Sequence, residues 1–259
     1  MGHSARVVGI IPARYGSTRL KAKPLADICG KPMIQHVVER AKSARTLNEV
    51  LVATDDERIV SAVREFGGEA VMTPKELRSG TDRIAYVAKN LTEASLIVNI
   101  QGDEPLIPPK MIDAAVKPLI DDASIRVGTA AKKISSEEEL KNPSIVKVVV
   151  NISGDALYFS RSPIPYLRDG SSGKTWSSQY TYLKHFGIYV FRRDFLMEFS
   201  GWSESALEKA ERLEQLRILE RGVPIRVTLT ECESIAVDTQ EDLEKVRTIL
   251  RKQLSSKKL

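Results

Sequence analysis

The sequence predicts an α/β protein: a mostly parallel sheet flanked by helices, with a smaller β-rich insertion. Three observations predict it. Short Val/Ile-rich runs alternate with amphipathic segments, the order that builds βαβ units and hence a parallel sheet. The runs are nearly unbroken apolar stretches, as strands covered on both faces are. After about residue 120 the alternation loosens, and several strands follow one another.

In order, strands are expected over 7–11, 50–54, 70–72 and 96–100, with helices over 32–44, 57–66 and 83–91 between them. Pro32 stands near the first turn of its helix, where a missing N–H is harmless. Gly67-Gly68 provides a C-terminal stop for the second helix. A helical stretch runs from Pro108-Pro109 to Ile120, followed by strands over 126–134, 145–151 and 156–160, with a short acidic helix at 136–140. Residues 168–175 are polar and Gly/Ser-rich and read as a surface loop. A strand over 186–191, one continuous helix over 205–221 stopped by Gly222-Val223-Pro224, a strand over 225–229 and a helix over 240–254 complete the chain. With no internal repeat and no Pro-rich linker, one domain over 1–259 is expected, with its β-rich subregion at about 121–200.

Composition narrows the function. Hydrophobic residues at 42% with charged residues at 28% exclude a disordered chain. Thirty-nine basic against 34 acidic side chains give +5, spread without the dense stripe of a nucleic-acid binder, which favours a small anionic ligand. No run approaches the roughly 20 apolar residues that cross a bilayer, and the first residues lead straight into a strand-like run, so no membrane and a cytoplasmic address are expected. Cys29 and Cys232 lie far apart and the histidines have no zinc spacing, so both thiols are expected free and buried.

Of three candidate phosphate loops, Gly173-Lys174-Thr175 ends like a Walker A motif, but Arg168 stands where its opening glycine belongs. Gly-x-Gly-x-x-Gly is absent, which argues against a dehydrogenase-type dinucleotide site. The remaining loop, residues 11–25, follows the first strand and gathers Arg14, Arg19, Lys21 and Lys23 with no acid before Asp27. Gly16 and Ser17 let backbone N–H groups and a hydroxyl approach phosphate oxygens, while arginine offers a fork and lysine a point charge. A solvated loop with incidental charge is the alternative. Two acids invite a metal. Asp103 follows a buried strand in Asn99-Ile100-Gln101-Gly102-Asp103-Glu104-Pro105, where it either meets Mg²⁺ or caps the next turn. Asp238 precedes a helix, and spacing alone makes it or Thr239 an ordinary N-cap.

Together these stretches resemble the cytidylyltransferases that activate acidic sugars. The match runs through Ile11-Pro12-Ala13-Arg14 to Lys23-Pro24-Leu25, Val52-Ala53-Thr54-Asp55, Ser79-Gly80-Thr81-Asp82-Arg83, Val98 to Pro105, Ala156 to Arg161, His185 to Tyr189, Leu213 to Arg217 and Val237-Asp238-Thr239. In one departure, Lys21-Ala22 replaces the family's usual Pro-Gly, so the turn before Lys23 must accept a Cβ. The resemblance implies a Rossmann-like nucleotidyltransferase fold. It also implies transfer of CMP from CTP to the anomeric hydroxyl of 3-deoxy-manno-octulosonate (Kdo), releasing pyrophosphate, in lipopolysaccharide synthesis. Sialic acid or amino-Kdo as acceptor, and a non-catalytic nucleotide-binding relative, are the alternatives.

Residue by residue, the resemblance implies that Pro12, Ala13, Arg14, Ser17, Arg19, Lys23, Thr54, Asp55, Ser79, Gly80, Arg83 and Gln101 bind the nucleotide, with Lys23, Arg14 and Asp103 catalytic. It implies Asp103 and Asp238 as Mg²⁺ ligands and Arg161, His185, Tyr189, Glu214 and Gln215 as the sugar site. For Glu214 the plain alternative is an i,i+3 ion pair with Arg217, and for His185 a satisfied, half-buried ring. A homodimer through the later β-rich region is implied as well, and the loop from Gly170 to Gln179 is expected to order over bound sugar.

Overall fold

The computed structural model describes residues 5–16, 20–168 and 175–256. The chain divides into two compact units, Met1–Asp113 with Glu233–Leu259 and Ala114–Cys232. Among the described residues no helix is long and apolar enough to cross a membrane.

The first unit contains β1 (Val7–Ala13), the short antiparallel pair β2 (Asp27–Ile28) and β3 (Lys31–Pro32), α1 (Met33–Lys42), β4 (Glu49–Thr54), α2 (Glu57–Glu65), β5 (Glu69–Met72), α3 (Gly80–Ala88) and β6 (Leu96–Asn99). Its sheet runs β6-β1-β4-β5 and every neighbour is parallel. Val8, Ile10, Ile11, Val52, Ile97 and Val98 are wholly buried, which explains their uninterrupted apolar sequence. The chain builds outward from β1 to β4 and β5, then crosses to place β6 on the other side of β1. That reversal is a switch point, where open α/β sheets leave a crevice beyond the strand ends. The β1–β6 ladder ends at Ile10↔Asn99, while β1 continues beside β4 to Ala13. Pro12 is therefore tolerated in a central strand, since no β6 ladder continues to its level.

The division between the units falls within α4 (Pro109–Asp121). The second unit holds β7 (Val127–Lys133), α5 (Glu137–Lys141), β8 (Lys147–Val150), β9 (Ala156–Ser160), α6 (Trp176–Gln179), β10 (Leu183–Arg192), α7 (Arg193–Ser200), α8 (Ala206–Glu211), α9 (Leu216–Glu220) and β11 (Arg226–Leu229). Here β11 and β7 are parallel, and β7–β10, β10–β8 and β8–β9 are antiparallel. The first unit closes with α10 (Gln240–Ser256).

The expected strands and most helices are present, and three expectations need correction. The helix expected over 83–91 begins at Gly80, because Ser79 caps it: its Oγ accepts from Asp82 N at 3.0 Å while Asp82 Oδ2 accepts from Ser79 N at 3.3 Å. The single helix expected over 205–221 is two, broken at Arg212, whose φ is +55°. On a continuous helix residues 208 and 217 would stand about 13 Å apart along the axis. The break folds them together, and Arg217 donates to Glu208 Oε1 at 3.0 Å and to Trp202 O at 2.8 Å. Finally, Cys29 and Cys232 are free as expected but half-buried, not buried.

Candidate functional site

Two distant stretches meet on one ammonium. Ala22 adopts a left-handed conformation, φ +53°, and turns the chain into a 3-10 turn over Lys23–Leu25 that Pro24 helps fix. Lys23 Nζ then donates to Asp103 Oδ2 at 2.7 Å, to Val237 O at 2.9 Å and to Asp238 Oδ1 at 3.1 Å. Val237 N also donates to Asp103 O at 2.8 Å, so backbone as well as side chains hold the two segments together.

A local cluster of apolar residues explains why Asp238 arrives there. Val237, Leu243, Val246 and Leu250 pack with Ile28, Met33 and Leu106, each such burial worth about 1.5–3 kcal/mol. The N-cap ambiguity is also resolved. Thr239 Oγ1 accepts from Asp242 N at 3.2 Å and Asp242 Oδ2 accepts from Thr239 N at 2.9 Å, so Thr239 caps α10 and the Asp238 carboxylate turns to Lys23.

Around this contact lies a cavity of about 260 Å³ at the switch point, lined by Pro12, Ala13, Arg14, Lys23, Gly80, Gln101 and Asp103, all expected, and by Gly16, Pro24 and Gly102. Arg14 donates to Leu77 O at 2.5 Å. Tyr15 lies under the Arg58 guanidinium, 3.3 Å from the ring centre, and Arg58 grips Asp56 through two N–H groups, which anchors the start of the loop. Ser17 and Arg19 lie outside the described residues. Gly102 is required by close approach, since a Cβ there would stand 2.7 Å from Pro12 O. Gly102→Ala should cost about 1–3 kcal/mol, read by urea unfolding; an unchanged variant would show that the β1 and β6 ends are not in contact.

Other expected nucleotide residues sit behind this lining. Arg83 is wholly buried, donating to Asp55 Oδ2 at 2.9 Å and to Thr73 Oγ1. Thr54 is buried, and its carbonyl accepts from Thr73 Oγ1 at 2.9 Å. The Ser79 hydroxyl is occupied as the α3 cap. Asp55 and Thr73 thus fix the Arg83 guanidinium, whose Nε is buried without a partner among the described residues. Next to Asp103, burial pushes the Glu104 carboxyl up to about 7, against the opposing hydrogen bond from Ser234.

The expected sugar residues belong to the second unit. Arg161 donates to Glu211 O at 2.8 Å and Pro143 O at 3.0 Å, so carbonyls fix its guanidinium. His185 contacts Thr129 Oγ1 at 2.9 Å and packs near Tyr189, ring centres 5.4 Å apart. Burial holds the imidazole pKa down to about 3 and raises that of the Tyr189 phenol, helped by the Glu214 charge. Glu214 forms the i,i+3 pair with Arg217 at 3.1 Å, and Gln215 is buried at the N-cap of α9. Both fall at the break between α8 and α9, not inside a helix. Residues 170–174 of the expected lid lie outside the described residues.

Residues 8–245 match the model of a family described as cytidylyltransferase. The chain belongs to that family. It is 52% identical over 251 residues to a 3-deoxy-manno-octulosonate cytidylyltransferase of Geotalea uraniireducens, covering 95% of this chain and 100% of the relative. It is 53% identical over 244 residues to the protein of the same name from Geobacter sulfurreducens, covering 93% and 97%. A solved CMP:2-keto-3-deoxy-manno-octonic acid synthetase complexed with CTP superimposes with a TM-score of 0.89 at 48% identity, over 96% of this chain and 100% of that one.

For a cytidylyltransferase, the expected Mg²⁺ can be tested against the donors present. Among the described residues no group of three or more His, Cys, Asp or Glu is placed to hold a metal unaided. Two carboxylates already share one cation, however, and Mg²⁺ is commonly held by one or two carboxylates plus substrate phosphates and water. Asp103 and Asp238 fit that role. This cytidylyltransferase also carries a local cost at Ala22, where a Cβ in the left-handed region costs about 1–2 kcal/mol. Ala22→Gly should therefore stabilise the protein by up to about 1 kcal/mol, after the extra freedom glycine gives the unfolded chain. Chemical denaturation checks it, and a loss of stability would contradict the left-handed turn.

Proposed function

We propose that this cytidylyltransferase transfers CMP from CTP to the anomeric hydroxyl of Kdo, giving CMP-Kdo and pyrophosphate. The convergence of Asp103 and Asp238 on Lys23, beside a switch-point cavity that Lys23 and Asp103 line, carries the reading. The names of the relatives at about half identity support Kdo as the acceptor.

In this reaction the sugar hydroxyl attacks the α-phosphorus in line as the bond to the pyrophosphate oxygen breaks. Negative charge grows on the phosphoryl and leaving-group oxygens, so positioning and electrostatics dominate. Arg14 and Lys23 supply fixed positive charge at the cavity, and the ends of β1 and β6 orient the nucleotide between them. Asp103 and Asp238 would hold Mg²⁺, which when bound neutralises phosphate charge and acidifies a coordinated hydroxyl. Gly80 at the start of α3 and Gln101, whose amide both donates and accepts, line the cavity and would read cytosine. Arg161, His185, Tyr189, Glu214 and Gln215 are assigned to the sugar.

The same reading includes a cytoplasmic enzyme of lipopolysaccharide synthesis acting as a homodimer. Ile152, Leu157 and Leu229, exposed in the β-rich unit, are apolar side chains a second copy would cover. Pyrophosphate release on mixing the protein with CTP, Mg²⁺ and Kdo tests the function. Release with sialic acid but not with Kdo, or no release at all, would overturn it.

A further inference from the structure

Between β7 and β10 the register jumps: Phe186 faces Ala130, but Tyr189 already faces Thr129. Residues 187 and 188 are thus extra on β10, a bulge that turns two carbonyls toward one side chain. Thr129 Oγ1 lies 2.7 Å from Ile188 O and 3.2 Å from Phe186 O, and Thr129 is wholly buried. A hydroxyl carries a single proton, and a carbonyl can only accept. The Thr129 proton is therefore committed to the backbone, most closely to Ile188 O.

The consequence falls on His185, whose Nε2 is 2.9 Å from the same hydroxyl oxygen. Having spent its proton, that oxygen can only accept, so Nε2 must carry the hydrogen. Burial keeps the ring neutral through the physiological range. A neutral imidazole protonated at Nε2 has a bare lone pair at Nδ1, and among the described residues Nδ1 has no hydrogen-bond partner. Near it, the Tyr189 hydroxyl is buried without a partner. An acceptor-only nitrogen beside an unpaired phenol suits a polyhydroxy acid, whose hydroxyls both donate and accept.

We propose that Thr129 is a positioning residue that locks His185 in its Nε2–H tautomer, so that Nδ1 accepts a hydrogen bond from a hydroxyl of the acceptor sugar. The second half of this statement rests on the Kdo reading above; the first does not. Swapped tautomers would present a donor at Nδ1 and leave Nε2–H unavailable to Thr129.

The test separates the two halves. Ring-nitrogen chemical shifts of isotope-labelled histidine, recorded on the full chain without nucleotide or sugar, report the tautomer directly, and the signal missing from His185→Gln assigns it. The expected wild-type form is Nε2–H. Thr129→Ser keeps it, and Thr129→Val, which has no hydroxyl, loses it to a mixture or to Nδ1–H. In initial-rate assays Thr129→Val should raise the KM for Kdo about tenfold, the loss of roughly one hydrogen bond, while the KM for CTP stays within about twofold and Thr129→Ser behaves as wild type. An Nδ1–H wild type, or a Thr129→Val protein with an unchanged tautomer, overturns the lock. A shifted tautomer with an unchanged KM for Kdo overturns the sugar contact. A wild type that makes no CMP-Kdo overturns the Kdo reading, and with it the sugar contact, while the tautomer result still decides the lock.

Discussion

Asp103→Asn should lower the rate of pyrophosphate release by about 10²–10³-fold and move half-saturation by Mg²⁺ to higher concentration. The substitution keeps the side chain's size and removes its charge. Lys23 would still be held by Asp238 and by Val237 O, so the turn before it stays anchored. Asp103 is also partly exposed, at 28% of its side chain, so an amide there leaves no buried charge behind. Thermal unfolding should accordingly move little while the rate collapses. A rate within about fivefold of wild type would reduce Asp103 to an anchor for Lys23.

Lys23→Met should produce two effects. The first is a loss of rate of the same order, about 10²–10³-fold, because on the proposed reading a fixed positive charge at the triphosphate disappears. The second is structural. Without the ammonium, Asp103 and Asp238 face one another with no cation between them, so the free protein should lose about 1–3 kcal/mol. Mg²⁺ at millimolar concentration should restore part of that stability in the variant and add little to the wild type, whose carboxylates already share a cation. Melting curves with and without Mg²⁺ read this difference. Equal Mg²⁺ responses in the two proteins would mean that the carboxylates do not take up the ion.

Much of this site is legible before any coordinates. The apolar runs at 7–11, 50–54 and 96–100 have to be doubly covered strands, and parallel strands have to end in a ligand crevice, so the loop after β1 and the acids after β6 are placed in one neighbourhood by topology alone. Asp238 is different. Its sequence neighbourhood is that of any helix start, and only the packing of Val237 and Leu243 against Ile28 and Met33 carries it to Lys23. A contact spanning 215 positions leaves no local mark.

The misreadings have physical causes too. The break at Arg212 lacks a glycine or proline to announce it, and it exists because Arg217 is satisfied by Glu208 and Trp202 only when the helix folds back. The start of α3 was legible in Ser79-Gly80-Thr81-Asp82, a capping box, but the apolar periodicity begins later and drew the boundary with it. Arg83 is a case in between: its motif points to the nucleotide, while its full burial against Asp55 and Thr73 left no mark in the sequence. Thr129 had no signal at all, since its role depends on a bulge in the strand opposite.

A double-variant cycle on Asp103 and Asp238 bears most directly on whether the ends of β6 and α10 form one functional centre. kcat/KM for CTP is measured for Asp103→Asn, Asp238→Asn and the pair at saturating Kdo and fixed Mg²⁺. If both carboxylates serve one cation and one triphosphate, the pair loses little more than the worse single change, within about threefold. Losses that multiply would show two independent carboxylates and contradict a shared site.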